Sequence, residues 1–269
     1  MESGLPMTRE TPCMIYLPSR NRGVWFAFAS VVFIATLLIL YCLYWTSALW
    51  EVADASTCKG HLKQLGVALE QYRMTYGSYP PAFIADSDGR RMHSWRALLL
   101  PYLIEGPIGY DYSEPWDSPE NRRFAAEHTE LLSRFRCPTD DASHQTWTSY
   151  VAVTGTATLW PGAECISLDD PEQEFGTLLV VELHESGIDW LDPHDLESVV
   201  GIRDLAFLRN RSHSEGMNFL TAGDSIGTLN DADSQIISQM AKRHGGTVVP
   251  AIVVIPVPPE KVIREAGQD

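Results

Sequence analysis

Positive charge is scarce in this sequence. It contains 20 Lys and Arg residues against 35 Asp and Glu residues, which gives a formal net charge of −15, and most of the acidic excess follows residue 50. A surface of that sign repels phosphate backbones and anionic lipid headgroups, so the composition argues against nucleic acid as a partner and leaves cations or basic partners open. An acidic surface that serves only solubility is the simpler interpretation.

Internal repeats and low-complexity segments are absent as well. Hydrophobic residues make up 45% of the chain and charged residues 20%, so the chain has enough apolar side chains to fold and is not disordered as a whole. Its 269 residues leave room for one sizeable domain once an anchor is subtracted.

Motifs for catalysis and for a transition metal are weak or missing. Residues 223–227, GDSIG, match G-x-S-x-G, but a nucleophile elbow needs a helix after its serine, and the residues after Ser225 are typical of a strand. The chain has no H-E-x-x-H and no paired cysteine spacing, so Glu182, His184 and His194 do not predict a zinc site. We therefore expect a protein that is not an enzyme.

Charge is missing altogether from residues 24–45, VWFAFASVVFIATLLILYCLYW. As a helix rising ~1.5 Å per residue, this segment matches the ~30 Å hydrocarbon core of a bilayer, so it predicts a transmembrane helix. The Ala-x-Ala pattern at Ala53 and Ala55 leaves a cleaved signal peptide as the alternative, although the apolar region of a signal peptide is usually only ~7–15 residues long.

The flanking charges predict the orientation of this helix. Arg20 and Arg22 precede the apolar segment, whereas acidic residues, beginning with Glu51, follow it. The positive-inside rule therefore predicts a single-pass protein of the inner (cytoplasmic) membrane, with residues 1–23 in the cytoplasm and residues 46–249 outside it.

An amphipathic pattern continues after the apolar segment. Apolar side chains recur at spacings of three and four residues, which is typical of one helix face. They are Cys58, Leu62, Leu65, Leu69, Tyr72 and Tyr76. Gly77 and the prolines after it end the helix. No helix breaker lies between the two patterns, so we expect one long helix, first transmembrane and then amphipathic.

The rest of the chain combines helical and strand patterns. Helical patterns cover residues 95–103, 119–132 and 231–244, and strand patterns cover residues 149–154, 177–183, 218–222 and 226–229. Residues 250–269 begin with a proline-rich stretch and are expected to form an edge strand or a tail. The expected fold class is α+β, with the long N-terminal helix packed on an antiparallel sheet.

Acidic side chains suitable for calcium are concentrated in one stretch. Glu182, Asp189, Asp192 and Asp195 could supply the oxygen ligands that Ca²⁺ prefers, although their spacing matches no EF-hand. The alternative is that Trp190 anchors a loop whose carboxylates are solvated or cap backbone amides.

The five cysteines divide by their predicted compartment. Cys13 falls in the cytoplasmic segment and Cys42 in the bilayer, which leaves Cys58, Cys137 and Cys165 in an oxidising compartment.

Four segments of the outer part resemble a known family. They are CKGHLKQLGVALEQYRMTYGSYPP from Cys58, FRCPTD from Phe135, TLLVVELHESGIDWLDPHDL from Thr177 and HSEGMNFLTAGDSIGTL from His213. The chain is similar in these segments to the pilin-like proteins of planctomycete bacteria, whose N-terminus resembles type II secretion pseudopilins and whose outer domain is functionally uncharacterised. The resemblance implies a long helix packed on an antiparallel sheet and an architectural or binding role.

The resemblance also favours a disulfide between Cys58 and Cys137. Both cysteines lie in the similar segments, and a bridge between them would tie the long helix to the outer domain. A buried thiol at Cys58 is the alternative, because cysteine spacing does not determine connectivity.

The sequence departs from the family pattern at two places. Family members usually carry a prepilin-peptidase site with Glu as the fifth residue after the cleaved Gly, whereas here Phe28 is fifth after Gly23. This change removes the polar contact that aligns subunits in a filament and favours a permanently anchored monomer. The family's Asp-Gly-Ser turn is replaced by residues 223–225, Gly-Asp-Ser, which favours a type II′ hairpin turn.

Together these observations predict a membrane-anchored extracytoplasmic protein of pilin-like type. Its expected role is structural, or an interaction with other pilin-like or secretion-system subunits. The alternatives are an extracytoplasmic ligand-binding or calcium-binding module and, with less support, a serine hydrolase.

Overall fold

The computed structural model describes residues 22–140, 146–168, 170–197, 213, 216–229, 236 and 239–250. Three predicted segments lie mostly outside these residues. They are the cytoplasmic segment, the closing helix over residues 231–244 and the C-terminal strand or tail over residues 250–269. The chain divides into two compact units, residues 1–49 and residues 50–269.

The first unit contains the beginning of helix α1, Arg22–Tyr76. Here the large apolar side chains are exposed, with Phe33 at 63% and Leu40 at 62%. The hydroxyls of Ser30 and Thr36 donate hydrogen bonds to carbonyl oxygens of their own helix, at 2.9 and 2.7 Å, so neither requires water as a partner. Among the described residues, α1 is the one helix long and apolar enough to cross a membrane, judged by length and composition, which makes it a candidate anchor or signal sequence.

In the second unit, α1 buries one face. The predicted apolar face, Cys58 to Tyr76, forms a stripe along the helix. Its residues Cys58, Leu62, Leu65 and Leu69 are fully buried, and Tyr72 is nearly so. The helix ends where expected, because Gly77 has the left-handed φ of 78° that favours glycine, and its N–H donates to the carbonyl oxygen of Arg73 at 2.8 Å.

The remaining elements of the second unit are short. In chain order they are β1 (Phe83–Ala85), β2 (Arg91–Ser94), α2 (Trp95–Leu98), α3 (Leu100–Leu103), α4 (Pro119–Glu127), α5 (Thr129–Ser133), β3 (Tyr150–Thr154), β4 (Glu164–Ser167), a 3-10 turn (Pro171–Glu174), β5 (Leu178–Glu182), β6 (Leu196–Glu197), β7 (Met217–Thr221), β8 (Ile226–Leu229) and β9 (Thr247–Pro250).

The main sheet has the strand order β6-β3-β5-β7-β8. Neighbouring strands are antiparallel except β3 and β6, which are parallel. The stripe of α1 belongs to the same buried cluster as Tyr150 and Ala152 of β3, Val180 of β5 and Leu220 of β7. The α+β fold with a helix packed on a sheet is therefore confirmed.

The strand predictions are confirmed to within about a residue at each end, whereas the helix predictions are only partly correct. The segment predicted as one helix over residues 95–103 forms α2 and α3, with Pro101 in the first turn of α3. The segment over residues 119–132 is divided at His128, whose φ of −112° and ψ of 54° are not helical. The two-stranded sheets β1-β2 and β4-β9 were not predicted.

The turn between β7 and β8 contacts α1. Gly223 and Asp224 both have positive φ, 77° and 61°, so the predicted type II′ turn is wrong, because its second central residue needs a negative φ. The backbone N–H of Gly223 donates to Glu70 Oε1 at 3.2 Å, and Lys63 pairs with the carboxylate of Asp224. These polar contacts join the helix to the far end of the hairpin.

The close approach of the helix to this turn can be tested at Gly66. A Cβ at this position would lie 2.1 Å from Asp224 Oδ1 and 3.0 Å from Leu220 Cδ1, whereas a Cβ at Gly60 would meet no atom within 4 Å. Gly66→Leu should make the full chain in detergent less stable than Gly60→Leu by about 1–3 kcal/mol, because the larger side chain is forced into a packed interface.

The measurement is the free energy of unfolding of both variants by denaturant titration. Gly60→Leu is the matched control, since both substitutions add the same side chain to α1 and gain the same helix propensity. Equal stability of the two variants would contradict the contact between α1 and the hairpin.

Candidate functional site

A buried cluster of four reactive or charged side chains lies between α1 and the sheet. Cys58 is on the buried face of α1, Cys137 is in the loop after α5, Glu182 is the last residue of β5, and His213 precedes β7. One donor atom from each side chain can be chosen so that all four atoms lie within 4.8 Å of one another. Among the described residues, this is the one group of three or more His, Cys, Asp and Glu side chains that meets so closely.

The loop that carries Cys137 is held against the start of β3. The N–H of Cys137 donates to Ser149 Oγ at 2.7 Å, and the carbonyl oxygen of Phe135 accepts from Thr148 Oγ1 and from the N–H of Ser149, both at 2.8 Å. Since these bonds join the loop to a buried strand, the sulfur of Cys137 is directed at α1 rather than at solvent.

The two sulfurs are in direct contact. The Cys58 thiol donates to Cys137 Sγ at 2.9 Å, and Cys137 Sγ also lies 3.0 Å from Thr139 Oγ1 and 3.5 Å from His213 Nε2. The hydrogen bond from Cys58, helped by those from His213 and Thr139 and opposed by burial, lowers the pKa of Cys137 to about 6. The same Cys58–Cys137 bond, together with burial, raises the pKa of Cys58. Of the two thiols, Cys137 therefore gives up its proton more readily.

The carboxylate and the imidazole complete the cluster. Glu182 Oε2 accepts from Asn218 Nδ2 at 2.6 Å, while Glu182 Oε1 lies 3.2 Å from His213 Nε2. Burial raises the pKa of Glu182, but His213, Cys137 and Asn218 outweigh it and hold that pKa below its ordinary value. Burial lowers the pKa of His213, whereas its contacts with Cys137 and Glu182 raise it to about 10.

The structure brings the predicted disulfide partners, Cys58 and Cys137, together. It describes both as thiols, so the covalent bond itself stays a prediction. The third cysteine predicted to be extracytoplasmic, Cys165, is buried on β4 and is not part of the cluster.

The four side chains predicted to bind calcium are not brought together. Glu182 belongs to the cysteine cluster, and Asp195 forms a buried ion pair with Arg96, at 2.5 Å between Oδ1 and Nη2. Asp189 and Asp192 accept hydrogen bonds from backbone N–H groups two residues further along the chain, at 3.1 and 2.9 Å. The carboxylates cap amides in a loop whose Trp190 is fully buried, which matches the alternative interpretation.

The weaker motifs are likewise dispersed. Ser225 lies between a turn and strand β8, without the helix that a nucleophile elbow requires. His184 and His194 contact Asp140 and Asp192, each at 2.5 Å, and neither joins Glu182.

Sequence reasoning missed two functionally interesting residues, His213 in the cluster and Arg96 in the core. Arg96 is fully buried and donates to the carbonyl oxygen of Tyr150 and to Asp195. It sits in a run of apolar residues without a charged neighbour of opposite sign, and its partner is 99 positions away, so no local pattern reveals the pair.

Residues 50–177 match the model of a family described as proteins of unknown function, DUF1559. This family is typical of planctomycete proteins, so that part of the sequence resemblance is confirmed. No curated protein and no solved structure matches the chain.

The matched region covers only part of the cluster. It includes Cys58 and Cys137 and ends immediately before β5, so Glu182 and His213 lie beyond it.

The buried ion pair can be tested by removing one charge. Asp195→Asn leaves the Arg96 guanidinium buried without its counter-charge, and breaking such a pair typically costs about 3–5 kcal/mol. Asp117→Asn removes the partner of Arg90 from an exposed pair and should change stability by less than about 1 kcal/mol. Denaturant unfolding of both variants measures the difference, and similar losses would show that Arg96 and Asp195 do not form a buried pair.

Proposed function

We propose that this protein is a non-enzymatic, membrane-anchored extracytoplasmic protein of pilin-like type with a structural or interaction role. The observation that carries the proposal is the composition of α1, Arg22–Tyr76. One helix supplies an exposed apolar segment and then a stripe that is buried in the core of the outer unit. This is the organisation of a pilin-like subunit, in which a single helix serves both as anchor and as core element.

The membrane anchor is supported by exposure and by hydrogen bonding. The large apolar side chains of residues 25–45 are exposed, and a soluble protein rarely exposes so extensive an apolar surface. The few polar side chains among them are satisfied by the helix itself, as Ser30 and Thr36 illustrate. Both features suit a hydrocarbon environment.

The orientation is supported by charge. Arg20 and Arg22 precede the apolar segment, and Glu51 and Asp54 follow it. The proposal therefore places the N-terminus in the cytoplasm, the helix in the inner membrane and residues 50–269 outside.

A permanently anchored monomer fits this sequence better than a subunit that polymerises into a filament. The fifth residue after Gly23 is Phe28, so the segment lacks the glutamate that aligns neighbouring subunits in pilin filaments. Interaction with other pilin-like or secretion-system subunits then takes place through the outer unit. The serine hydrolase alternative loses support, because a strand and not a helix follows Ser225.

The orientation is tested by adding protease to intact spheroplasts that carry the full chain with a C-terminal tag. We expect the tag and the outer unit to be digested, because they face the medium. A cytoplasmic protein should survive in the same sample, and both should be lost in opened cells. Survival of the outer unit in intact spheroplasts would show that the orientation is wrong.

Processing is tested by the intact mass of the membrane-extracted protein. We expect the mass of the uncleaved chain, about 30.0 kDa, which includes the apolar segment. A chain that begins at Val24 would show prepilin-type cleavage and restore the filament alternative. A chain that begins near Ser56 would show removal of a signal peptide and overturn the anchor.

A further inference from the structure

Two buried polar atoms in the cysteine cluster face each other without a hydrogen bond. Glu182 Oε1 and His213 Nε2 are 3.2 Å apart, and the two residues are only 1% and 4% exposed. Among the described residues, Oε1 of Glu182 has no hydrogen-bond partner. Burial of a carboxylate oxygen without a partner is costly, so this arrangement calls for a further group between the two side chains.

The imidazole lies within ion-pair distance of that oxygen but forms no hydrogen bond with it. Nε2 of His213 makes its hydrogen bond with Cys137 Sγ at 3.5 Å, and its contact with Glu182 Oε1 lacks hydrogen-bond geometry. A cation that accepts several donor atoms at once would satisfy both contacts.

The donor set determines which cation fits. Two cysteine sulfurs, one imidazole nitrogen and one carboxylate oxygen are soft and intermediate donors, which favour zinc over calcium or magnesium. With Zn–S near 2.3 Å and Zn–N and Zn–O near 2.0 Å, tetrahedral ligands stand about 3.6 Å apart for nitrogen and sulfur and about 3.3 Å apart for nitrogen and oxygen. The corresponding distances from His213 Nε2 are 3.5 Å to Cys137 Sγ and 3.2 Å to Glu182 Oε1.

The distance between the sulfurs does not decide between a metal and a disulfide. The 2.9 Å contact must shorten by about 0.9 Å to form a disulfide bond. It must lengthen by about 0.9 Å to suit two zinc ligands. The other two side chains favour the metal, because a disulfide leaves Glu182 Oε1 with only its ion-pair contact to His213, whereas a metal uses all four donors.

The surroundings orient these donors. Asn218 Nδ2 donates to the other oxygen of Glu182, and Thr228 Oγ1 donates to Asn218 Oδ1 at 2.8 Å. The N–H of Cys137 is held by Ser149 Oγ. Fixed outer contacts of this kind are typical of metal ligands.

We propose that Cys58, Cys137, Glu182 and His213 form a structural zinc site. Four protein ligands fill a tetrahedral shell and leave no open position, so the site is structural and not catalytic. It links α1, the loop after α5, the end of β5 and a residue in the segment that precedes β7. The proposal concerns the outer unit alone and does not depend on the orientation of the anchor.

The first test is metal binding by the full chain in detergent, after mild reduction, with zinc alone and then with cobalt as a spectroscopic probe. We expect one zinc per chain by elemental analysis, and cobalt bands typical of tetrahedral thiolate coordination. A chain that takes up no metal, and whose mass before reduction is two units below that of the dithiol, would overturn the proposal in favour of a disulfide.

Variants then assign the ligands. Glu182→Gln keeps the size of the side chain and Cys137→Ser nearly so, and each should weaken zinc binding by at least about 10-fold to 100-fold. Cys165→Ser is the matched control, because Cys165 is buried but outside the cluster, and it should retain one zinc. Loss of zinc in Cys165→Ser, or full affinity in Glu182→Gln, would show that the metal binds elsewhere.

The result remains interpretable if a variant folds poorly. Circular dichroism checks the folding of each variant. Asn218→Leu leaves all four ligands in place but removes the outer contact to Glu182 and the bond from Thr228, so it should reduce affinity by about 10-fold to 100-fold in a folded chain. Unchanged affinity in a folded Asn218→Leu chain, together with cobalt bands that lack thiolate character in the wild type, would overturn the assignment.

Discussion

Burial of one face of α1 against the main sheet is the contact on which the second unit, residues 50–269, depends. Leu62, Leu65 and Leu69 are fully buried in one cluster with residues of β3, β5 and β7. Complete burial of a leucine side chain contributes about 1.5–3 kcal/mol, so this face supplies a large part of the stability of the unit. The polar contacts of Glu70 and Lys63 with the β7–β8 turn determine the position of the helix along the sheet.

The interior of this unit also contains charge, and each buried charge organises a loop. Arg96 connects α2 to Asp195 and to the carbonyl oxygen of Tyr150. Asp195 also accepts from the N–H of Ala152 at 2.8 Å, so the segment before β6 is joined to β3. Buried ion pairs contribute less to stability than to uniqueness of structure in some proteins, and here the pair occupies the carboxylate of Asp195, one of the four side chains predicted to bind calcium.

The cysteine cluster combines residues from distant parts of the chain. Cys58 and Cys137 are 79 positions apart, and Cys137 and His213 are 76 positions apart. A site of this kind forms only after α1 has packed on the sheet. A cation held there would stabilise the packed arrangement and not the separate elements, because the unfolded chain does not assemble the ligands. The cluster and the apolar stripe therefore support the same contact.

The candidate anchor, the stripe and the main strands could be predicted because each depends on a local pattern. A charge-free run of residues 24–45, apolar spacing of three and four residues in α1, and alternating runs for β3, β5, β7 and β8 are all visible within a short window. The break before α3 has a local cause that the helical pattern hides, because Pro101 lacks the N–H that a continuous helix needs. The pairing of β4 with β9 was not predictable, because it joins strands that are far apart in the chain.

The sequence by itself determined where a candidate anchor can lie and which face of α1 is buried. It favoured Cys58 and Cys137 as a pair only through the resemblance of two short segments. Only the tertiary structure decided that Glu182 joins those cysteines while Asp189, Asp192 and Asp195 do not. The physical reason is that a carboxylate's role is determined by its neighbours in space. Glu182 ends a buried strand and faces His213, whereas Asp195 meets a buried guanidinium and the other two aspartates meet backbone amides.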